Sequence, residues 1–249
     1  MTNDTVTNDA DDHCRHDIVL AEYANWQRRL KRKLVSTSHA FPKRTSCPLV
    51  QRILKRSVDL FGATAGLALL FPLLATVALI IKMSSPGPVF FRQKRYGLNG
   101  IPFTIFKFRT MHVHLCDASG VAQTVANDPR ITPIGFFLRK SNFDELPQLI
   151  NVLKGDMSLV GPRPHVPGML AVGVPYEIFD QRYMGRHHVR PGITGLAQVN
   201  GCRGETKTEL SARMRLEYDL IYVQAQSFWL DATILVKTIV REFFKGSGS

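Results

Sequence analysis

Two adjacent carboxylates, Asp144 and Glu145, are the residues of this sequence best suited to chemistry. They stand where a helix is predicted to begin, and unpaired backbone N–H groups make helix starts favourable places for anions. An acid pair can hold a metal ion, and one carboxylate can attack phosphorus to give an acyl phosphate. A structural alternative exists, because Ser141 followed by Asp144 fits a helix capping box and Pro147 suits an early helical turn.

Cationic residues lie on both sides of the acid pair along the sequence. Lys107 and Arg109 alternate on a predicted strand, so their side chains are expected to stand side by side, roughly 7 Å apart. Arg139 comes just before the acids, and Arg163 follows them with a proline on each side. A guanidinium held by such a backbone suits bidentate phosphate recognition. These neighbours favour an acid pair that positions Mg²⁺ beside a pyrophosphate, where the metal screens the carboxylates from the phosphates.

The composition narrows the kinds of partner that the protein can have. Its 249 residues include 32 Lys plus Arg against 20 Asp plus Glu, a formal net charge of +12. This balance favours a nucleic acid, anionic lipid or phosphate-rich substrate, although a merely basic soluble protein remains an alternative. No nucleic-acid partner is predicted, because the basic residues do not alternate with exposed aromatics on a recognisable module. Four scattered cysteines indicate neither a disulfide framework nor a zinc site.

The sequence also lacks several well-known catalytic patterns. It contains no phosphate loop of the G-x-x-x-x-G-K-[ST] type and no G-x-G-x-x-G motif after a strand. It contains neither H-E-x-x-H nor G-x-S-x-G. The sequence therefore contains no motif that would support four common enzyme classes, namely kinases, dinucleotide-binding enzymes, metalloproteases and serine hydrolases.

One apolar segment, from Leu60 to Ile81, carries no charged residue and is long enough to cross a bilayer. Pro72 lies at its middle, where proline removes a backbone hydrogen bond and clashes with the preceding turn. The simpler interpretation is a kinked spanning helix. The alternative is a re-entrant membrane helix within 51–85, which enters, breaks near Pro72 and returns to the same face. Cations flank both ends of the segment, and the positive-inside rule places both ends in the cytoplasm only in the re-entrant arrangement.

Several further elements are predicted on either side of this segment. Residues 1–50 form an N-terminal extension, with a basic amphipathic helix over 17–36 that suits either an anionic membrane surface or packing on its own domain. Residues 86–245 form the catalytic domain, and 246–249 resemble an appended linker. Within the domain we predict a β-hairpin of 89–96 and 101–110, short helices over 131–140 and 145–153, loops over 155–168 and 190–195, and helical structure over 175–188 and 209–245.

A series of ordered sequence blocks between about Lys55 and Thr238 resembles the bacterial sugar transferases, that is, the monotopic polyprenyl-phosphate phosphoglycosyl transferases. The blocks that carry the resemblance are KRSVD from Lys55, GPVFFRQ from Gly87, FKFRTM from Phe106, DPRIT from Asp128, LRKS from Leu138, DELPQL from Asp144, GDMSLVGPRP from Gly155 and RPGITGLAQVNG from Arg190.

The resemblance implies a reaction and a set of residue roles. Asp144 would attack the β-phosphate of a UDP-sugar and expel UMP, while Glu145 would help it to hold Mg²⁺. Polyprenyl (undecaprenyl) phosphate would then take the phosphosugar, giving a polyprenyl-diphosphate-sugar that initiates polysaccharide or glycan assembly. The resemblance assigns three cations to the neutralisation of phosphate charge: Lys107, Arg109 and Arg139. It also assigns a loop to nucleotide contact, formed by Pro162, Arg163 and Pro164.

The resemblance also implies an architecture and a location. The fold class would be α/β, with an irregular and mostly helical catalytic domain, a β-hairpin, a re-entrant membrane helix and interfacial amphipathic helices. The catalytic domain would lie on the cytoplasmic face of the bacterial inner membrane, in contact with the lipid bilayer. Phe71 departs from the family, whose members often carry Ser before the helix-breaking proline, here Pro72.

Two other functions and the assembly state remain open at this point. A membrane-anchored glycosyltransferase would move the sugar without its phosphate and release UDP. A non-catalytic membrane scaffold would bind the nucleotide sugar without turnover. The sequence does not identify the sugar or the polyprenyl length. It also leaves the oligomeric state open, and a homo-oligomer is one of the possible states.

Overall fold

Helices dominate the computed structural model, which describes residues 49–115, 128–204, 206 and 208–245. The α-helices are α1 Leu49–Ser84, α2 Pro133–Lys140, α3 Gln148–Lys154, α4 Tyr176–Phe179, α5 Leu196–Val199, α6 Glu209–Ala225 and α7 Phe228–Lys245. The strands are β1 Phe90–Tyr96, β2 Pro102–Phe108, β3 Ser158–Val160, β4 Leu170–Ala171, β5 Val174–Pro175 and β6 Gly192–Thr194. The mostly helical character is confirmed. The predicted helix over 17–36 and the linker-like 246–249 lie outside the described residues.

Helix α1 is 36 residues long and is helical through Pro72. It is long and apolar enough to cross a membrane, by length and composition. One face packs on the catalytic domain at both ends: Ala63 joins a core cluster with α3, while Val77 and Ile81 pack with Phe108 of β2 and a leucine of α2. The opposite face exposes large apolar side chains, including Phe61, Leu69, Phe71, Leu79 and Met83.

The first turns of α1 are fastened to the domain by charged side chains. Lys55 donates from Nζ to the carbonyl oxygen of Val160 at 3.0 Å and forms an ion pair of 2.6 Å with Asp231 of α7. Arg56 donates to the last carbonyls of α3, and Asp59 accepts from the backbone N–H of Leu159 in β3. The cations before the apolar segment therefore have a structural role, which the positive-inside argument did not foresee.

Strands β1 and β2 form the predicted antiparallel hairpin, with Phe90 opposite Phe108 and Tyr96 opposite Pro102. Asn99, with φ of 55°, and Gly100, with φ of 75°, supply the left-handed residues of the turn. The prediction of a hairpin is confirmed, although β2 ends at Phe108 rather than at Thr110. This difference matters for the site, because strand alternation no longer fixes the direction of the next side chain.

Strands β3 and β6 pair in parallel, and they lie inside the two segments that we predicted as loops. The correction has a clear physical reason. Both strands are three residues long, and the glycines that made the segments look like turns allow the two backbones to approach closely. A β carbon on Gly192 would lie 2.1 Å from the backbone nitrogen of Gly161. Glycine-rich sequence at these positions therefore marks strand contact.

The predicted helical stretch 209–245 is two helices, because α6 ends at Ala225 and α7 begins at Phe228. Tyr222 of α6 and Ile234 of α7 pack together in one core cluster. Helix α7 keeps a second apolar side exposed, formed by Trp229, Val236, Ile239 and Val240. Such a helix fits a membrane interface on composition.

Candidate active site

A tight turn between α2 and α3 brings the two acids into the domain. Asn142 adopts a left-handed conformation, with φ of 58° and ψ of 14°, and a short 3₁₀ helix, Phe143–Glu145, follows. The capping-box alternative for Ser141 is wrong, because Ser141 ends α2 and its Oγ donates to the carbonyl oxygens of Phe137 and Leu138. The acids therefore do not serve as partners of a Ser141 cap.

Glu145 is held by two cations. Arg163 forms a two-pronged contact, with Nη1 donating to Oε2 at 2.9 Å and Nη2 donating to Oε1. Lys107 donates from Nζ to Oε1 at 2.7 Å. Burial by itself would raise the pKa of Glu145, but the charges of Arg163 and Lys107 outweigh it and hold the pKa well below its usual value. Glu145 is therefore ionised at neutral pH.

Asp144 lies beside this cluster with its carboxylate much less engaged. Its residue surface is 8% exposed, and the nearest cation is the Nζ of Lys107, 4.0 Å from Oδ2. Burial raises the pKa of Asp144, while the positive charges of Lys107, Arg139 and Arg163 pull it down and that of Glu145 pushes it up. A desolvated carboxylate with few hydrogen bonds is a stronger nucleophile than a solvated one, so Asp144 is chemically the more available acid.

The free acceptor positions of the acid pair suit a magnesium ion. On Glu145, Oε1 already accepts two hydrogen bonds while Oε2 accepts one, and Asp144 leaves both oxygens open to a ligand. Mg²⁺ is commonly held by one or two carboxylates together with substrate phosphates and water. Within the described ranges no group of three or more His, Cys, Asp or Glu side chains converges, so phosphate and water would have to complete the coordination.

The other predicted cations divide into two groups. Arg139 lies near enough to lower the pKa of Asp144, and its Nε donates to Thr110 Oγ1 at 2.9 Å. Arg109 is engaged elsewhere, because it is buried and donates to the carbonyl oxygens of Ile81, Ser85 and Pro86, at the end of α1. A helix C-terminus leaves carbonyls unpaired, and a guanidinium satisfies several of them. Its contacts do not support the predicted role in phosphate neutralisation.

The loop that carries Arg163 is supported by residues that the sequence analysis did not single out. Arg186 donates from Nη2 to the carbonyl oxygen of Arg163 at 2.8 Å, and Arg95 donates from Nη1 to that of Pro164 at 3.3 Å. Arg186 in turn pairs with Asp219 of α6 at 2.6 Å. A signal for this pair was present, because Asp219 falls on the buried apolar face of α6 and a lone acid there needs a partner.

The sequence pattern of the bacterial sugar transferase family matches residues 50–245 of this chain, which covers the helix α1 and the site just described. The chain belongs to the bacterial sugar transferase family. The predicted family and the prediction of a transferase enzyme are therefore confirmed.

Individual relatives agree with the family assignment. The chain is 52% identical over 196 residues to an exopolysaccharide production protein, PSS, of Rhizobium leguminosarum bv. phaseoli, covering 79% of this chain and 98% of the relative. It is 50% identical to the UDP-glucose:undecaprenyl-phosphate glucose-1-phosphate transferase of Escherichia coli K12 over 78% of this chain and 41% of the relative. The enzyme of the same name from Xanthomonas campestris is 50% identical over 76% of this chain and 38% of the relative. The matched region thus spans less than half of these two transferases.

Proposed function

We propose that this protein transfers a sugar phosphate from a UDP-sugar to undecaprenyl phosphate, releases UMP, and passes through a covalent intermediate on Asp144. The observation that carries the proposal is the contrast within the acid pair. Glu145 is neutralised by Arg163 and Lys107, while Asp144 keeps its oxygens available beside the same cations. One acid is therefore arranged to organise charge and the other is arranged to react.

The reaction balances in two displacements at one phosphorus. An Asp144 oxygen attacks the β-phosphorus, and the bond from that phosphorus to the bridging oxygen breaks, so UMP leaves with the electron pair. An oxygen of undecaprenyl phosphate then attacks the same phosphorus, and the bond to Asp144 breaks. Asp144 returns as a carboxylate, and the product is a polyprenyl-diphosphate-sugar. Each step exchanges one phosphorus–oxygen bond for another.

The surrounding cations stabilise the negative charge that the substrate brings. Lys107 and Arg163 already face the acid pair, and Arg139 acts electrostatically on Asp144. The loop Pro162-Arg163-Pro164 would contact the nucleotide, and Arg163 would pair with its phosphates in a bidentate manner. Asp144 and the open side of Glu145 Oε2 would hold Mg²⁺, which would neutralise phosphate charge when bound.

The names of the relatives suggest which sugar to test first. Two relatives at 50% identity are named as transferases of glucose 1-phosphate from UDP-glucose. We therefore propose UDP-glucose as the donor. The proposal also assigns a place in exopolysaccharide initiation, in line with the name of the Rhizobium relative.

We propose a re-entrant membrane helix that bends at Pro72 but, unlike the predicted break, stays helical through it. Both its N-terminal half, through Ala63, and its C-terminal half, through Val77 and Ile81, pack on the same catalytic domain. A helix that crossed the bilayer would carry its far end away from that domain. We propose that both ends face the cytoplasm, with the exposed sides of α1 and α7 in lipid. Cysteines introduced at Arg52 and Lys82, exposed polar positions on either side of the apolar run, should react equally from the cytoplasmic side of the inner membrane, and labelling from opposite sides would refute this topology.

The reaction is tested by identifying the nucleotide product. Purified enzyme with UDP-glucose, Mg²⁺ and undecaprenyl phosphate should release UMP in equal amount to lipid-linked glucose phosphate. Release of UDP would identify the glycosyltransferase alternative. Binding of UDP-glucose without any product, and unchanged by Asp144→Asn, would identify the scaffold alternative.

A further inference from the structure

Arg186 is the largest side chain of the described residues that is almost completely buried, with 1% of its surface exposed. It lies in the 3₁₀ helix Tyr183–His188, outside the acid pair and outside the Arg163 loop. Its Nε and Nη2 donate to one carboxylate oxygen of Asp219, at 3.0 and 2.6 Å. Nη2 also donates to the backbone carbonyl oxygen of Arg163 at 2.8 Å.

Burying this ion pair needs an explanation other than stability. Removing a guanidinium and a carboxylate from water costs about as much as their mutual attraction returns, so apolar residues of similar size often stabilise a core equally well. What an apolar pair does not provide is a directed hydrogen bond. The bond from Arg186 to the carbonyl of Arg163 is such a bond, and it ends on the residue that contacts Glu145.

The same loop is held at three consecutive carbonyls. Arg186 binds the carbonyl of Arg163, Arg95 binds that of Pro164, and the backbone N–H of Tyr96 binds that of His165 at 2.9 Å. The prolines on either side of Arg163 restrict the backbone further. Bidentate recognition requires a guanidinium placed within a fraction of an ångström, so these contacts determine how Arg163 meets a phosphate.

We infer that Arg186, oriented by Asp219, is a positioning residue that fixes Arg163 for the nucleotide diphosphate in the first displacement. This inference rests on the proposed function. Arg186 itself does not touch the acid pair, and it acts through the backbone of Arg163. Loss of the contact should therefore weaken the use of the UDP-sugar and leave the use of undecaprenyl phosphate unchanged.

Arg215 provides a matched control. It is also a buried arginine, it lies on α6 one turn before Asp219, and its Nη2 donates to the carbonyl oxygen of Gly204 at 2.6 Å. The same substitution at both positions keeps the positive charge and shortens the reach. Arg186→Lys changes the hold on Arg163, whereas Arg215→Lys changes a contact with a different loop.

The experiment compares steady-state kinetics of the two variants in the full-length enzyme with UDP-glucose and undecaprenyl phosphate. Arg186→Lys should raise KM for UDP-glucose about five- to tenfold, the effect of one lost charge-assisted contact, with KM for undecaprenyl phosphate unchanged. Arg215→Lys should leave both KM values near those of the wild type. A lower kcat with unchanged KM, or an equal KM rise in both variants, would overturn the inference.

A second readout does not depend on the reaction. Hydrogen–deuterium exchange of a peptide spanning residues 161–169, measured without substrate, should increase in Arg186→Lys and not in Arg215→Lys. Equal exchange in the two variants would also overturn the inference. If the wild-type enzyme fails to turn over UDP-glucose, the proposed function fails, and the exchange comparison still decides whether Arg186 fixes the loop.

Discussion

Arg163 and Glu145 form an ion pair with two parallel hydrogen bonds, in which Nη1 donates to Oε2 and Nη2 donates to Oε1. The residue proposed to bind the nucleotide diphosphate and the residue proposed to hold Mg²⁺ therefore neutralise one another before substrate arrives. A phosphate that pairs with Arg163, or a Mg²⁺ ion that binds Glu145, must weaken the hydrogen bonds between these two side chains. A phosphate that recruits Arg163 leaves Glu145 free for the cation, so each ligand prepares the site for the other.

This relationship predicts that Mg²⁺ and UDP-glucose bind cooperatively. Calorimetry should show UDP-glucose binding at least about tenfold tighter with Mg²⁺ than in EDTA, a coupling within the usual range of 1–3 kcal/mol. Glu145→Gln should lose most of this metal dependence. Asp156→Asn, which changes an acid paired with Lys154 at the surface, serves as the control and should retain it. Equal affinity with and without the metal would remove Glu145 from a metal site.

Arg109, which is buried, and Arg163, which is partly exposed, should have separable effects. Arg109→Ala removes hydrogen bonds to three carbonyls at the end of α1 and should lower the free energy of unfolding by about 2–4 kcal/mol, with little change in KM for UDP-glucose. Arg163→Ala should instead weaken the binding of UDP-glucose by about 1–3 kcal/mol, which would raise its KM. Thermal unfolding and kinetics on both variants check this. A specific KM effect in a stable Arg109→Ala protein would restore its predicted phosphate role.

The adjacent acids should affect stability in opposite directions. The folded pKa of Asp144 is raised, so its contribution to stability is present below the unfolded pKa and is lost as pH rises through the folded pKa. The folded pKa of Glu145 is lowered, so its contribution is present above the unfolded pKa and is lost as pH falls through the folded pKa. At neutral pH, Asp144→Asn should therefore keep or raise the thermal midpoint, and Glu145→Gln should cost about 1–3 kcal/mol.

Unfolding at pH 7 and at pH 4 measures this contrast. The difference between Asp144→Asn and the wild type should shrink at the lower pH, because the raised pKa of Asp144 favours protonation of the wild-type carboxylate on acidification. A clear loss of stability in Asp144→Asn at neutral pH would mean that the ionised carboxylate has a structural role. Activity of the wild type should also fall on acidification below the raised pKa of Asp144, since the protonated acid is not a nucleophile.

Much of the architecture was predictable from local sequence patterns. The alternation and turn residues around Asn99 predicted the hairpin, and the apolar run that contains Pro72 predicted α1. Short-range patterns did not reveal β3 and β6, because three-residue strands with glycines at their contacts read as loops. They also did not reveal the break between α6 and α7, since helical periodicity continues on both sides of it.

The site was predictable in its residue types more than in its contacts. The acid pair with Lys107 and Arg163 was foreseen, since all four belong to blocks with one shared chemical interpretation. The prediction that Arg109 stands beside Lys107 extended strand alternation past Phe108, where β2 ends. The position of Asp219 on the apolar face of α6 indicates that this acid needs a partner, but it does not identify Arg186, because the two residues lie in segments that are distant in sequence.

The covalent step is tested most directly by the intact mass of the enzyme. With UDP-glucose and Mg²⁺ but no undecaprenyl phosphate, the wild-type protein should release UMP in a stoichiometric burst and gain the mass of one glucose phosphate. The adduct should map to Asp144, be labile to hydroxylamine and disappear when undecaprenyl phosphate is added. Asp144→Asn should remain folded and form no adduct. Substantial turnover in Asp144→Asn, or an adduct on another residue, would contradict the proposed mechanism.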